Sequence, residues 1–328
     1  MKKFLLNLAV YMLFVSTFIV IINQVYIYRV EKNIYGTMGE ERNDNAVIKI
    51  VPNGIKICNL GSSHGYYGFN YEDLSGKYEC FNFALPSQSL FYDYRVLTNY
   101  KSKIEKGAVV FIIVSYFSFF GRPEIERDDF YSRNRRYYKF LSADLIEQYD
   151  LNTDFYVNYF PSLIENSLFL VVRKILNPTI SNSNDWNKTT TASEASDNAL
   201  KRAKYHIVDG RLDEKGKRIY NQQAVKALYD IIDLCHEIGA EPILITTPFL
   251  HEYNEAIERL DPNFFNVFYT LISEICKNTG ITYYDYSHDK NYARNYSSFI
   301  NLDHLNREGA RKFTNNLVRT IKQHKNKI

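Results

Sequence analysis

The sequence predicts an α/β protein, a three-layer α/β/α domain around a five-stranded parallel sheet of the flavodoxin-like type, preceded by one transmembrane helix. Two observations support this fold class. Short apolar runs alternate with helical patterns, which is typical of a parallel sheet covered by helices. An uncharged apolar segment opens the chain. The composition of the 328 residues, 45% hydrophobic and 23% charged, excludes a disordered or fibrous chain.

The N-terminal segment is predicted to be a membrane anchor. Residues Phe4–Tyr28 contain no charged side chain, and Phe4–Ile22 alone would span about 28 Å as a helix. Lys2 and Lys3 precede the segment, which favours a cytoplasmic N-terminus. A cleaved signal peptide is the rival interpretation, but its apolar core is usually only ~7–15 residues and no small-x-small cleavage pattern follows here. We therefore expect an uncleaved anchor over residues 1–31 and a single-pass cell-membrane protein whose domain is extracytoplasmic.

Residues 32–50 are polar and predict a stalk, and residues 51–328 predict the domain. Buried strands are expected where short runs of β-branched or aromatic residues end at Gly, Pro, Asn or Ser. These runs are Ile55–Leu60, Tyr78–Phe83, Ala108–Ser115, Pro242–Thr247 and Ile281–Tyr286. Helical patterns occupy Leu90–Ile104, Gln222–Ile238 and Phe264–Lys277, and Gly239 and Gly280 are expected to end the last two helices.

More than 120 residues separate the third and fourth predicted strands, far more than a normal crossover needs. We therefore expect a large insertion at about 119–215. It contains an apolar helical stretch, Phe155–Leu176, and a polar tract at Thr179–Ser196 that predicts a loop. An arginine cluster (Arg133, Arg135, Arg136) is interpreted as a solvated face, with contact to an acidic polymer or a lipid head group as the alternative.

Several classes of function are disfavoured by simple counts. Forty Lys and Arg residues against 37 Asp and Glu residues give a net charge of only +3, without the concentrated basic face of a nucleic-acid binder. The four cysteines suit neither a disulfide scaffold nor a paired zinc site. The chain has no glycine-rich phosphate loop, which disfavours a nucleotide binder. No cofactor, metal or nucleic-acid partner is predicted.

A turn rich in small residues, Asn59–Gly65, follows the first predicted strand. Open α/β sheets bind their ligands at the carboxyl ends of their strands, and Gly61 allows a sharp turn that presents a serine hydroxyl there. The string Gly61–Gly65 also matches the Gly-x-Ser-x-Gly nucleophile elbow, but the elbow follows several strands and only one precedes this turn. His64 is adjacent to Ser63 in sequence, so their side chains are expected to diverge.

A second polar segment, Asn301–Ala310, lies between the fifth strand and the last helix. Asn306 is a good N-cap for that helix, whose buried face is expected to carry Phe313, Leu317 and Ile321. His304 therefore lies on a loop at the same edge of the sheet as Ser63. A neutral histidine within reach of a serine hydroxyl can activate it as a nucleophile.

In these segments the chain resembles the SGNH/GDSL hydrolase superfamily over most of residues 50–325. The Gly-Asp-Ser block of that family corresponds to Gly61–Ser63 and implies Ser63 as nucleophile. The terminal Asp-x-x-His block corresponds to Asn301–His304 and implies His304 as base. Asn301 is then the positional third member of the triad, with Asp303 contributing charge.

The resemblance also implies an oxyanion hole built from Ser63, Ser87 and Ser115. Ser87 occupies the place of the second-block glycine, whose amide binds the oxyanion. No third-block asparagine is evident after the third strand, where Ser115 is the nearest polar candidate. These departures leave open a catalytically weak or inactive scaffold or binding subunit.

More narrowly, the chain resembles the membrane-anchored SGNH-like proteins of bacterial surface-polysaccharide loci. The segments that carry this resemblance are Gln88–Asp93, Thr246–Pro248 and Asp303–Ala310, in addition to the Gly-Ser-Ser-His turn. It implies a serine esterase or O-acyltransferase that acts on ester-linked acyl groups of an extracytoplasmic polysaccharide. It also implies a membrane-bound O-acyltransferase as partner. The choice between hydrolysis and transfer stays open.

Overall fold

The computed structural model describes residues 1–31, 51–164, 167–177, 186–207, 212, 214 and 218–325. The predicted stalk, 32–50, lies outside the described residues. The chain divides into two compact units. The helical unit comprises residues 1–50 and 131–183, and the sheet unit comprises residues 51–130 and 184–328.

The sheet unit contains the predicted five-stranded parallel sheet, in the order β2-β1-β3-β4-β5. The strands are β1 (Ile55–Leu60), β2 (Cys80–Asn82), β3 (Ile104–Ile113), β4 (Glu241–Thr246) and β5 (Thr282–Asp285). β1 and β3 are central and almost wholly buried at their carboxyl ends, which explains their continuous β-branched and aromatic sequence. The predicted fold class is confirmed.

Eleven helices are described, in both units together. They are α1 (Lys2–Tyr26), α2 (Ser63–Gly68), α3 (Leu90–Tyr100), α4 (Phe130–Asn134), α5 (Leu151–Tyr159), α6 (Leu168–Leu176), α7 (Ala192–Ile207), α8 (Gln222–Glu237), α9 (His251–Leu260), α10 (Phe264–Thr279) and α11 (Arg307–Lys325). In the sheet unit α2 packs against α11, α3 packs against α8, and α7 packs against α9. The chain passes from β1 to the edge strand β2 and then crosses β1 to reach β3, β4 and β5.

The predicted caps of the last helices are present. The Asn306 side chain accepts a hydrogen bond from the Gly309 backbone N–H at 2.9 Å, which caps α11. Gly280 ends α10 with a φ of 73°, a left-handed conformation that glycine adopts at little cost. A side chain at Gly309 would collide with the Ser298 carbonyl, because an added Cβ would lie 2.1 Å from that oxygen.

The insertion differs from expectation in two places. The apolar stretch Phe155–Leu176 is not one helix, because α5 ends at Tyr159 and a 3₁₀ turn follows at Pro161–Leu163. Proline has no N–H and disfavours a helical residue before it, so the chain turns there. The polar tract predicted as a loop ends earlier than Ser196, since α7 begins at Ala192.

The helical unit contains α1, which a π-helical segment continues at Ile27–Glu31. Together they form an apolar helix over Lys2–Arg29 with a mean hydropathy of 2.5 in its most apolar window. A helix of that length and composition could cross a membrane, and a signal sequence has the same properties. Near its C-terminal end, Tyr26 and Ile22 pack against Val171 and Ile175 of α6.

Candidate active site

Two loops at the carboxyl edge of the sheet place the predicted nucleophile and base together. Ser63 is the first residue of α2, two residues after the Gly61 that turns the chain out of β1. Gly61 has a φ of +130°, and an added Cβ would lie 2.8 Å from the Ile113 Cβ. The second loop is closed by a hydrogen bond from the Ile300 N–H to the His304 carbonyl, 2.9 Å long.

Ser63 and His304 form the first serine–histidine pair of the site. The Ser63 Oγ lies 2.9 Å from the His304 Nε2. Ser63 is half-buried, whereas His304 is buried. The neighbouring Ser62 hydroxyl is buried and has no hydrogen-bond partner among the described residues. Of the two adjacent serines, only Ser63 therefore faces the histidine.

Asn301 contacts the other nitrogen of His304, but with its amide nitrogen. The Asn301 Oδ1 accepts hydrogen bonds from the backbone N–H groups of Asp303 (3.1 Å) and His304 (3.0 Å). These two donors fix the amide orientation, so the Asn301 Nδ2 lies 3.1 Å from the His304 Nδ1. An N–H donor at Nδ1 favours the tautomer with its proton on Nε2. Asn301 therefore occupies the triad position that the resemblance implies, but its oxygen does not face the His304 ring.

A second serine–histidine pair lies at the same edge and includes a carboxylate. The His64 Nδ1 lies 2.6 Å from the Ser115 Oγ, and the His64 Nε2 lies 2.9 Å from the Asp303 Oδ2. The carboxylate accepts the Nε2 proton, which leaves the Nδ1 lone pair for the Ser115 hydroxyl. Ser115 and the Asp303 side chain have no solvent exposure. This pair has the tautomer that activates a serine, but the serine is enclosed.

Arg202 and His206 complete the cluster, and sequence reasoning missed both. The Arg202 Nε donates to both oxygens of Asp303, at 2.9 and 3.0 Å, and an Arg202 Nη2 lies 3.5 Å from the His304 Nε2. The His206 Nδ1 lies 2.5 Å from the Tyr253 hydroxyl. The available sequence signal was their spacing. Arg202 and His206 are four residues apart on α7, beside Ala199 and Ala203 of its buried stripe.

The negative charge of this cluster lies on Asp303. Burial by itself would raise the pKa of Asp303, but interactions with His304 and Arg202 and the hydrogen bond from His64 hold the pKa well below its usual range. Burial lowers the pKa of His304, although the Asp303 carboxylate opposes this. Burial also lowers the pKa of His206 to about 3. His304 is therefore neutral near pH 7, as a general base must be.

The same side chains include three possible metal ligands. One ligand atom from each of His64, Asp303 and His304 lies within 4.8 Å of the others. The Arg202 guanidinium already bonds both oxygens of Asp303. A cation bound at this carboxylate would have to displace or repel that guanidinium, so the donor set suits an ion pair better than a divalent metal.

The three predicted oxyanion donors are placed differently. The Ser63 N–H lies in the first turn of α2, where helical N–H groups have no intrahelical acceptor. Ser87 is exposed and has a φ of 58°, a conformation that favours glycine, the residue whose place it takes in the family pattern. The backbone N–H of Ser115 donates to the Ser118 Oγ at 2.9 Å. Ser115 would have to give up its present partners to bind an oxyanion.

A groove borders the pair on the side of α7. It has a volume of about 390 Å³, and its lining includes Asn198, Lys201, Arg202, Tyr205 and Asn301. Asn301 and Arg202 both contact His304. A molecule held in this groove would therefore lie beside His304.

Neither a known protein-family model nor a curated protein sequence matches this chain. The resemblance to SGNH hydrolases therefore depends on the motifs and on the arrangement of Ser63 and His304.

Proposed function

We propose that the chain is a serine esterase or O-acyltransferase of the SGNH type that acts on ester-linked acyl groups of an extracytoplasmic polysaccharide. The observation that carries the proposal is the 2.9 Å contact between the Ser63 Oγ and the His304 Nε2. It joins the two segments that resemble the first and last SGNH blocks, which are 241 residues apart in sequence. It does so at the sheet edge where open α/β folds bind ligands.

In the proposed reaction the Ser63 oxygen attacks the acyl carbonyl while its proton passes to the His304 Nε2. The backbone N–H groups of Ser63 and Ser87 bind the oxyanion, each contributing about 3–4 kcal/mol in comparable enzymes. His304 then gives the proton to the departing sugar oxygen, which leaves the acyl group on Ser63. Water or an acceptor hydroxyl takes up the acyl group, and its proton returns through His304.

The orientation of Asn301 predicts a slow reaction. A general base needs its lone pair on Nε2, whereas the Asn301 amide N–H stabilises the tautomer with the lone pair on Nδ1. In a serine protease, an Asn in place of the triad Asp lowers the rate by about 10⁴ for the same reason. Arg202 partly offsets this preference, because its Nη2 faces the His304 Nε2 as a donor.

The groove beside the pair supports a substrate larger than a simple acyl ester. Tyr205 is 71% exposed and offers an aromatic face, and Asn198 and Lys201 offer polar groups. Such a mixture suits a polyhydroxylated chain better than an apolar ligand. The proposed location, an extracytoplasmic domain on a single-pass anchor, would place this groove among surface glycans, and a membrane-bound O-acyltransferase would be the source or recipient of acyl groups.

The second candidate is a scaffold or binding subunit of a surface-glycan acylation system. One specific observation favours it. The Asp303 carboxylate contacts His64 and Arg202 rather than the His304 ring, so Ser63 and His304 have no carboxylate contact of their own. In this case the groove would bind glycan without ester turnover.

Turnover by the full-length protein in detergent separates the two candidates. We expect slow release of acetate from an O-acetylated oligosaccharide, abolished in Ser63→Ala and largely retained in Ser62→Ala, which is the matched control. Addition of an unacylated oligosaccharide tests for transfer by mass spectrometry. Binding of the oligosaccharide with equal, background-level turnover in all three proteins would support the scaffold and contradict the enzyme.

The proposed location is tested separately. Protease added to intact spheroplasts should digest the domain beyond residue 31, because Lys2 and Lys3 favour a cytoplasmic N-terminus. Protection of that domain would contradict both the orientation and the polysaccharide substrate.

A further inference from the structure

The helical unit exposes an unusual number of large apolar side chains. Outside the α1 helix, most of those found exposed among the described residues lie between positions 131 and 176. They include Leu151, Phe155, Tyr159, Leu163, Leu168, Phe169, Val172 and Leu176, with exposed fractions from 41% to 72%. Single exposed apolar residues are ordinary, but a contiguous group indicates a surface that binds a membrane or another molecule.

The exposed residues of α5 and α6 form stripes. Leu151, Phe155 and Tyr159 recur every four residues along α5, so they lie on one side of that helix. On α6, Leu168, Val172 and Leu176 recur at the same spacing, and Phe169 lies next to them. Neither stripe is covered by other described residues.

Contacts with α1 place the stripe of α6 beside the apolar helix. Val171 and Ile175, on the neighbouring side of α6, pack against Tyr26 and Ile22 near the end of the apolar helix. The Asn23 side chain of α1 accepts a hydrogen bond from the Ser162 hydroxyl at 2.7 Å and donates to the Tyr159 carbonyl at 2.8 Å. The exposed stripe of α6 is therefore continuous with the surface of a helix that could cross a membrane.

The cationic residues nearby fit the same environment. Arg135 lines a small groove together with Thr153, Tyr156 and Leu163. Arg173 lies on α6 itself. Neither arginine has an acidic partner among the described residues, so both are available to phosphate groups. Basic residues beside an apolar face, with aromatic residues at its edge, are typical of helices that lie in the membrane interface.

We propose that α5 and α6 form an interfacial element that lies in the outer leaflet of the bilayer beside α1, with the exposed stripes among acyl chains and Arg135 and Arg173 at anionic head groups. The element would attach the protein to the bilayer at a second place, beside α1. This proposal depends on α1 crossing the membrane in the proposed orientation, with its C-terminal end outside, and is independent of the proposed chemistry at Ser63.

Depth-dependent fluorescence quenching tests the element in the full-length chain. The sequence has one tryptophan, Trp186, so Trp186→Phe provides a silent background. Phe169→Trp and Leu168→Trp report on the α6 stripe, Phe14→Trp reports on α1, and Ile125→Trp is the exposed control in the sheet unit. Each protein is reconstituted into vesicles of phosphatidylcholine and phosphatidylglycerol with bromine atoms on the upper acyl chain.

We expect Phe169→Trp and Leu168→Trp to lose about half of their emission in brominated vesicles, since interfacial helices bury their apolar face only ~5–10 Å deep. Ile125→Trp should lose none. Quenching of Phe14→Trp without quenching of either α6 reporter would overturn the interfacial element. A transmembrane partner protein would then be the expected occupant of the stripe. Absence of quenching at all three positions would overturn the anchor together with the element.

Discussion

The two serine–histidine pairs at the carboxyl edge of the sheet divide the properties of one catalytic triad between them. Ser63 is half-buried and His304 is buried, and an amide N–H faces the second nitrogen of His304. We call these two residues the exposed pair, because its serine is partly exposed. Ser115 and His64, which we call the buried pair, are enclosed, and the Asp303 carboxylate contacts the second nitrogen of His64. Access therefore favours Ser63 as the proposed nucleophile, whereas the Asp303 carboxylate contacts His64 and not the ring of His304.

The buried pair has a structural role that the exposed pair does not have. Asp303 ties His64, on α2, to Arg202, on α7, and so connects two elements of the sheet unit. A buried charge with several partners is costly to expose or to leave unpaired. Changes in the buried pair should therefore affect stability first, and changes in the exposed pair should affect turnover first.

Apart from loss of the nucleophile itself, the largest effect on turnover is expected from His304→Gln. Loss of the general base should lower the rate of ester hydrolysis by about 10²–10⁴ while the fold is retained. Circular dichroism and thermal unfolding of the purified full-length protein provide the control. Unchanged turnover in a folded His304→Gln protein would transfer the catalytic role away from the exposed pair.

Asp303→Asn should have the largest effect on stability. It removes the buried carboxylate that the half-buried Arg202 and the buried His64 share, and breaking a buried pair typically costs about 3–5 kcal/mol. The free energy of unfolding measured by denaturant titration tests this. As a matched control, Asp73→Asn removes an exposed partner of Arg311 and should change stability by less than about 1 kcal/mol. Equal effects of the two substitutions would contradict the assigned role of Asp303.

Asn301→Asp sharpens the comparison, because it would give the exposed pair its own carboxylate. One carboxylate oxygen can keep the backbone N–H groups of Asp303 and His304, and the other can accept the His304 Nδ1 proton. We expect turnover of a short acyl ester to rise by about tenfold or more, since restoring the reactive tautomer reverses part of a known ~10⁴ penalty. A folded variant with reduced turnover would contradict the tautomer argument.

The pH dependence of stability should reflect the buried histidines. The pKa of His206 is lowered to about 3 in the folded protein, and that of His304 is lowered as well, whereas both return to about 6.5 on unfolding. The unfolded chain therefore binds more protons below pH 6.5, so stability is lost as the pH falls. Each histidine contributes up to about 1.4 kcal/mol per pH unit. Unfolding titrations at pH 7.5, 6 and 5 check this, and His206→Gln should reduce the slope.

Much of the fold could be predicted because it depends on local patterns. The β-branched runs that became β1, β3 and β4 are buried on both sides, so their apolar character is continuous. Gly280 and Asn306 mark helix ends by backbone requirements that few other residues meet. Pro161 was a sequence signal for the break after α5. The apolar residues on both sides of it nevertheless favoured one continuous helix.

The candidate site was predictable only where a motif carries it. Ser63 and His304 lie in recognisable segments, and their position at one sheet edge follows from the parallel topology. Arg202 and His206 come from the insertion, and nothing local in α7 indicates that it packs beside the loop of Asp303. The orientation of the Asn301 amide depends on two backbone N–H groups of a folded loop, which no sequence pattern specifies.

Covalent labelling of the nucleophile tests the central claim most directly. A fluorophosphonate probe reacts with an accessible, activated serine, and mass spectrometry of the digested protein identifies the modified residue. We expect the probe on Ser63 in wild type, no labelling in Ser63→Ala, and retained labelling in Ser62→Ala and Ser115→Ala. Labelling that persists in Ser63→Ala, or that is lost only in Ser115→Ala, would contradict the assignment of Ser63 and His304 as the reactive pair.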